Sequence, residues 1–264
     1  PHPKALLAAA RHYLWSDTGV TESKNLRYGP LERHRVDIYE PNIVDEETKV
    51  VFFVHGGGWE SGSKDLHRFI GRSWAGRDLV LVLPNYRLVP QTTYPGQLED
   101  LVRCLAWFKE HYPQFSESFY LAGHSAGAHM ASLIGWSDRW LREAHLSRKS
   151  LEGLILMAGV YQFYPYDQAD PRIRKFVNDR EKWEEAQPIN HVGPSSPPVF
   201  MAHGENDSEV STKQSTQLGH KLSELGVRNE VLLQENTGHL ELLLETCRQE
   251  ARLWSLMRDF FGTD

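Results

Sequence analysis

The chain has 264 residues, 40% of them hydrophobic and 24% charged, a balance that supports one large buried core and excludes bulk disorder. Its formal net charge of −6, with no basic cluster, argues against nucleic acid as a partner. Cys104 and Cys247 have no metal-ligand spacing and read as buried, reduced thiols on the inner faces of helices, so neither a metal nor a cofactor is expected. No apolar run approaches the roughly 20 residues that cross a bilayer, which argues against a membrane partner.

In chain order, Lys4 to Trp15 reads as a short alanine-rich helix rather than a secretory leader, which favours a cytoplasmic location. Asn25–Tyr28 and Arg35–Tyr39 read as a leading strand pair, followed by the apolar strands Val50–Val54 and Leu79–Leu83. Between Gln97 and Tyr112, residues Leu98, Leu101, Val102, Leu105 and Phe108 fall at helical spacing. Strands follow at Phe119–Ala122, Leu154–Met157, Val199–Ala202 and around Val231, with helices over 126–135 and 212–225 and a single long helix over 240–261. Uninterrupted apolar strands alternating with amphipathic helices predict an α/β fold: one domain with a mostly parallel central sheet flanked by helices.

Chemistry concentrates first at Gly123-His124-Ser125-Ala126-Gly127, between a predicted strand and a predicted helix. A serine there could simply cap the helix. A G-x-S-x-G turn in this setting instead describes a nucleophile elbow, which lifts the serine hydroxyl clear of the sheet edge. The second concentration is His55-Gly56-Gly57-Gly58-Trp59, directly after the strand Val50–Val54. Glycines leave backbone amides unshielded, and the N–H groups of Gly57, Gly58 and Ala126 are the expected oxyanion donors. One such donor is worth roughly 3 kcal/mol of barrier, because it meets charge that exists only in the transition state.

Enzymes with this elbow carry the acid and then the histidine further along the chain. Asp207 follows the strand Val199–Ala202, and His239 opens the last predicted helix, so Ser125, Asp207 and His239 form the expected catalytic set. Glu205 and Glu209 are rival acids in the same loop, and His191, His203 and His220 are rival bases. His220 lies within a helical stretch, and His203 ends a strand too early to face the elbow. The proline- and aromatic-rich segment Gly159–Pro198 breaks the α/β rhythm. It either overhangs the serine as a cap or packs its aromatics onto the sheet. Trp59, Tyr161 and Tyr164 are the expected substrate-binding residues, Trp59 being either a pocket wall or a loop anchor.

His55–Trp59 with Ser61-Gly62-Ser63-Lys64-Asp65, Gly123–Gly127 with Ala128-His129, Leu26-Arg27-Tyr28-Gly29, Val36-Asp37, Gly159-Val160-Tyr161 and Asp207-Ser208 together resemble the kynurenine formamidase (arylformamidase) family. The resemblance implies an α/β-hydrolase fold, a Ser125-Asp207-His239 triad, and hydrolysis of N-formylkynurenine to kynurenine and formate without a cofactor. Small carboxylesterases, feruloyl and acetylxylan esterases and prenylcysteine methylesterases share these motifs. Gly58 and the run Asn85-Tyr86-Arg87-Leu88-Val89-Pro90 fit the ester branches as well. A short-chain or aromatic ester therefore stands beside the formamide as substrate. A small molecule is the expected partner, and a homodimer stays open.

Overall fold

Among the described residues, eight strands form one sheet in the order β1-β2-β4-β3-β5-β6-β7-β8. They are β1 Thr21–Arg27, β2 Arg35–Glu40, β3 Lys49–Val54, β4 Leu79–Pro84, β5 Phe119–His124, β6 Leu151–Met157, β7 Val199–Gly204 and β8 Asn229–Gln234. Only β2 runs antiparallel to its neighbours, β1 and β4, and the remaining pairs are parallel. The structure is a computed structural model that describes residues 19–262 except 46, 116 and 117. The helix expected over Lys4 to Trp15 lies outside the described residues.

Strand periodicity divides the core in two. Val50, Phe52 and Val54 of β3 join one buried cluster with Leu98, Leu101 and Leu105 of α2 (Gly96–His111), much of α3 (Ala126–Trp136), and Leu218 and Leu222 of a later helix, Lys213–Glu224. Val51 and Phe53 face the other way. They pack with Phe69, Ile70 and Trp74 of α1 (Arg68–Ala75) and with Leu253, Trp254 and Met257 of Arg252–Phe261. Side chains alternate along a strand, so an all-apolar strand requires cover on both faces, and the helices provide it. Among the described residues, no helix is long and apolar enough to cross a membrane.

The remaining helices are α4 (Asp138–Glu143), α5 (Pro171–Phe176), α6 (Lys213–Glu224), α7 (Glu241–Glu245) and α8 (Arg252–Phe261). The single helix expected over 240–261 is therefore two helices. Arg77 donates from Nη1 to Thr246 O at 3.0 Å and from Nη2 to Cys247 O at 2.5 Å, and Trp74 Nε1 donates to the Thr246 hydroxyl at 3.2 Å. Carbonyls taken by a guanidinium no longer need amides one turn on, and the chain turns at Ala251, whose φ and ψ are −70° and 137°. Cys247 thus sits in the break rather than on a helix face. Both cysteines are free and buried.

Register is what assembles the site. Val54 pairs with Gly123, His124 with Met157, Met157 with Ala202, and Gly204 with Gln234. The carboxyl ends of β3, β5, β7 and β8 therefore finish at matched heights, and the loops after them emerge side by side. The strand order reverses at β3 and β5, the crevice where open α/β sheets bind ligands.

Candidate active site

Ser125 joins β5 to α3 at φ 55° and ψ −123°, a conformation L-residues rarely adopt. Its amide donates to Met157 O at 2.8 Å and its carbonyl accepts from His129 N at 3.1 Å, so the strained turn is fastened from both sides. The flanking glycines are obligatory on steric grounds. A Cβ at Gly123 would fall 2.4 Å from the Gly127 carbonyl carbon, and one at Gly127 would fall 2.0 Å from Val54 O. Gly127→Ala is expected to cost about 3 kcal/mol of stability through this overpacking. Differential scanning calorimetry should show Tm lowered by roughly 10 °C; an unshifted melting curve would contradict the close approach.

The glycine loop after β3 lies against this turn. An ideal Cβ at Gly56 would sit 2.9 Å from His124 O and 3.2 Å from Ser125 Cβ. Gly57 O accepts from Ser61 N at 2.9 Å, Ser61 Oγ at 2.8 Å and Glu60 N at 3.2 Å. Because a trans peptide points its C=O and N–H in opposite directions, this grip turns the Gly58 N–H away from Ser61. The amides of Gly57, Gly58 and Ala126 make no hydrogen bond among the described residues. Gly58 and Ala126 line the same cavity as Ser125, whereas Gly57 is not among the lining residues.

Asp207 and His239 meet across the loops after β7 and β8. Glu205 N donates to Gln234 O and Asn206 N to Thr237 O, both at 3.0 Å, which splices the two loops together. His239 Nδ1 donates to Asp207 Oδ2 at 2.6 Å. The carboxylate side chain is fully buried, and its Oδ1 accepts from the amides of Glu209 at 2.8 Å and Val210 at 2.9 Å. Burial alone would raise its pKa; the bonds from His203 and His239, together with the Val210 amide, outweigh burial and hold it well below the usual carboxylate range. With Nδ1 engaged, the ring keeps Nε2 for another partner. The His239 ring lies against the elbow, its centroid 4.5 Å from that of His124, whose Nε2 donates to His239 O at 2.9 Å.

Of the rivals, Glu205 is exposed, and Glu209 lies at the cavity rim, 3.8 Å from Arg172. His220 is exposed on α6 and His191 donates to Glu185 O. His203 has a place that sequence reasoning missed. It is fully buried, with Nε2 3.0 Å from Val210 O and 3.2 Å from Asp207 Oδ2, and Nδ1 2.9 Å from Ser215 Oγ. It clamps the loop that carries the acid. A histidine ending the strand four residues before Asp207 was the available signal.

A cavity of about 580 Å³ opens beside Ser125, within the range typical of small-ligand sites. The segment 159–198 both overhangs it and packs inward. Phe163, Tyr164 and Ile173 line the cavity, and Phe176 and Trp183 are buried against the body. Trp59 likewise does both: it lines the cavity and stacks on Phe176 at 4.7 Å. His129, one turn after Ser125, donates from Nε2 to Ala186 O at 2.9 Å; burial pushes its pKa down to about 3, so it ties the cap down as a neutral ring. Tyr164 is 68% exposed at the mouth. Tyr161 is corrected: it is fully buried and absent from the lining, because its ring fills the space under Gly159, where a Cβ would fall 2.4 Å from the phenol oxygen. The charged rim of Arg172, Lys213, Asp170 and Glu209 was also missed.

The eight-stranded, mostly parallel sheet with this elbow defines an α/β-hydrolase. The chain belongs to the BD-FAE family of α/β-hydrolase esterases, whose model matches residues 36–222. It is similar to the kynurenine formamidase of Salmo salar, with 25% identity over 90% of this chain and 81% of the formamidase. It is also similar to the isoprenylcysteine alpha-carbonyl methylesterase of Arabidopsis thaliana, with 25% identity over 84% of this chain and 57% of the methylesterase. The chain thus spans little more than half the length of plant methylesterases. Among solved structures, the inhibited esterase B of Lactobacillus rhamnosis superposes with a TM-score of 0.80 at 22% identity, covering 98% of this chain and 93% of the esterase. The Pyrobaculum calidifontis esterase gives a TM-score of 0.77 at 20% identity, covering 98% and 90%. These likenesses establish the fold.

Proposed function

We propose that the chain is a serine hydrolase that cleaves an aryl formamide, with N-formylkynurenine as the substrate of choice, through a Ser125-His239-Asp207 triad. Ser125 Oγ attacks the formyl carbon while His239 Nε2 takes its proton, and Asp207 holds the imidazole tautomer and the charge that develops on it. The tetrahedral oxyanion rests on the amides of Gly57, Gly58 and Ala126. As it collapses, His239 returns the proton to the leaving arylamine. Water, deprotonated by the same ring, then cleaves the formyl-serine ester to release formate.

The observation that carries this reading is the 2.6 Å bond from His239 Nδ1 to a buried carboxylate, together with a serine at positive φ and loop amides that make no hydrogen bond among the described residues. Support for the aryl substrate comes from a cavity walled by Trp59, Phe163 and Tyr164 and rimmed by charges of both signs, which suits an aromatic ring bearing an amino-acid end. The esterase relatives favour a second reading, a short-chain or aromatic carboxylic ester cleaved by the same steps. The ratio of kcat/KM for N-formylkynurenine to that for p-nitrophenyl acetate separates the two. A ratio above one is expected; a ratio well below one would make the chain an esterase, and no turnover of either would overturn the hydrolase reading.

A further inference from the structure

His55 opens the glycine loop, and nothing in the steps above uses its side chain. It is 1% exposed, lies between the rings of Tyr86 (centroids 4.3 Å apart) and His67 (5.8 Å), and sends Nδ1 to Gly56 O at 2.8 Å. A carbonyl oxygen only accepts, so the ring proton is on Nδ1. Burial, then the neighbouring His67 and Arg33, push its pKa well below the ordinary imidazole value despite the bond to Gly56, so the ring is neutral. Among the described residues Nε2 is buried with no hydrogen-bond partner, so recognition of Gly56 is the one polar contact this side chain makes with them.

Gly56 O belongs to the peptide whose N–H is that of Gly57. In a trans peptide the two point in opposite directions, so the bond that draws Gly56 O toward the ring fixes the Gly57 N–H on the other side of that peptide, next to Gly56, which itself packs on the elbow with an ideal Cβ 3.2 Å from Ser125 Cβ. Glycine on both sides makes this peptide cheap to rotate. Its orientation therefore has to be imposed. The neighbouring peptide is gripped by Ser61 and Glu60; this one is gripped by His55. We infer that His55 is a positioning residue that aims the Gly57 N–H into the oxyanion hole, and that Gly62 exists to leave room for that bond. A Cβ on Gly62, already at φ +96°, would fall 2.4 Å from Gly56 O and 2.8 Å from His55 Nδ1. Tyr86 completes the seat by donating its hydroxyl to His55 O at 2.9 Å.

The inference rests on the proposed serine mechanism, and native protein in the same assays keeps the two apart: if it turns over neither formamide nor ester, the mechanism fails and the role of His55 falls with it, whereas native turnover with unaltered variants overturns the role of His55 alone. His55→Phe keeps the ring stack and removes the orphaned nitrogen, so the fold should melt at or above the native temperature. Loss of one oxyanion donor costs about 100- to 1,000-fold in kcat. A donor that is misaimed for part of the time predicts a fall in kcat of about 10- to 100-fold, with KM within about threefold of native. Affinity for a trifluoromethyl ketone, which forms the tetrahedral adduct, should fall by the same factor as kcat, and affinity for the carboxylic acid product should hold. Gly62→Ala, which disturbs the same bond from the other side, should reproduce the pattern. A folded His55→Phe protein with native kcat would overturn the inference. So would losses of ketone and product affinity in equal measure, the mark of a residue that merely supports the fold.

Discussion

Replacing Ser125 with alanine is expected to lower kcat by about five to six orders of magnitude on the proposed mechanism, the scale seen when a triad nucleophile is removed. Stability should change by less than about 0.5 kcal/mol. The hydroxyl makes no hydrogen bond among the described residues, and alanine inherits the same strained φ of 55°. Steady-state turnover, covalent labelling by a fluorophosphonate probe and urea denaturation measure the three quantities separately. Loss of turnover and labelling with an unchanged urea midpoint is the expected set. Turnover above a small fraction of the native rate would remove Ser125 as nucleophile.

Asp207→Asn should cost about 10⁴-fold in kcat, because the amide turns a donor toward His239 Nδ1 and favours the wrong tautomer. It should also destabilise the fold. The carboxylate accepts two backbone amides and faces two histidines in a buried position, and an amide offers only one oxygen for these donors. The pH dependence has a definite sign. The native pKa of Asp207 lies below the unfolded value of about 4, so its contribution is complete above about pH 4 and declines as the pH falls toward the native pKa. The gap in urea midpoint between native protein and Asp207→Asn should therefore narrow as pH falls below about 4. A gap that widens toward acid would mean that the carboxylate is not the stabilised form.

What could be read from the sequence was local. Gly123 and Gly127 are fixed by contacts within one strand–turn–helix unit, and Val50–Val54 is apolar enough to declare a strand covered on both faces. Asp207 and His239 were reachable because each follows an apolar strand by a few residues, and the sheet register brings those strand ends level. What escaped depended on partners distant in sequence. The break at Thr246–Ala251 is made by Arg77, some 170 residues earlier, and the 240–261 pattern shows only a continuous apolar stripe. Tyr161 and Tyr164 look alike in sequence, yet one fills space under Gly159 and the other stands in solvent. The grip of His203 on the acid loop appears only once the main chain has turned back at Val210.

The division of labour between loops has a consequence for how such a molecule can diversify. Every group proposed to move a proton or hold the oxyanion hangs from the ends of β3, β5, β7 and β8, whereas the largest share of the walls of the cavity comes from the single crossover between β6 and β7. Exchange of that one excursion would redraw what is admitted without touching the bond-breaking apparatus. Selectivity and reactivity are thus separately heritable, and relatives with closely similar scaffolds are free to differ in diet.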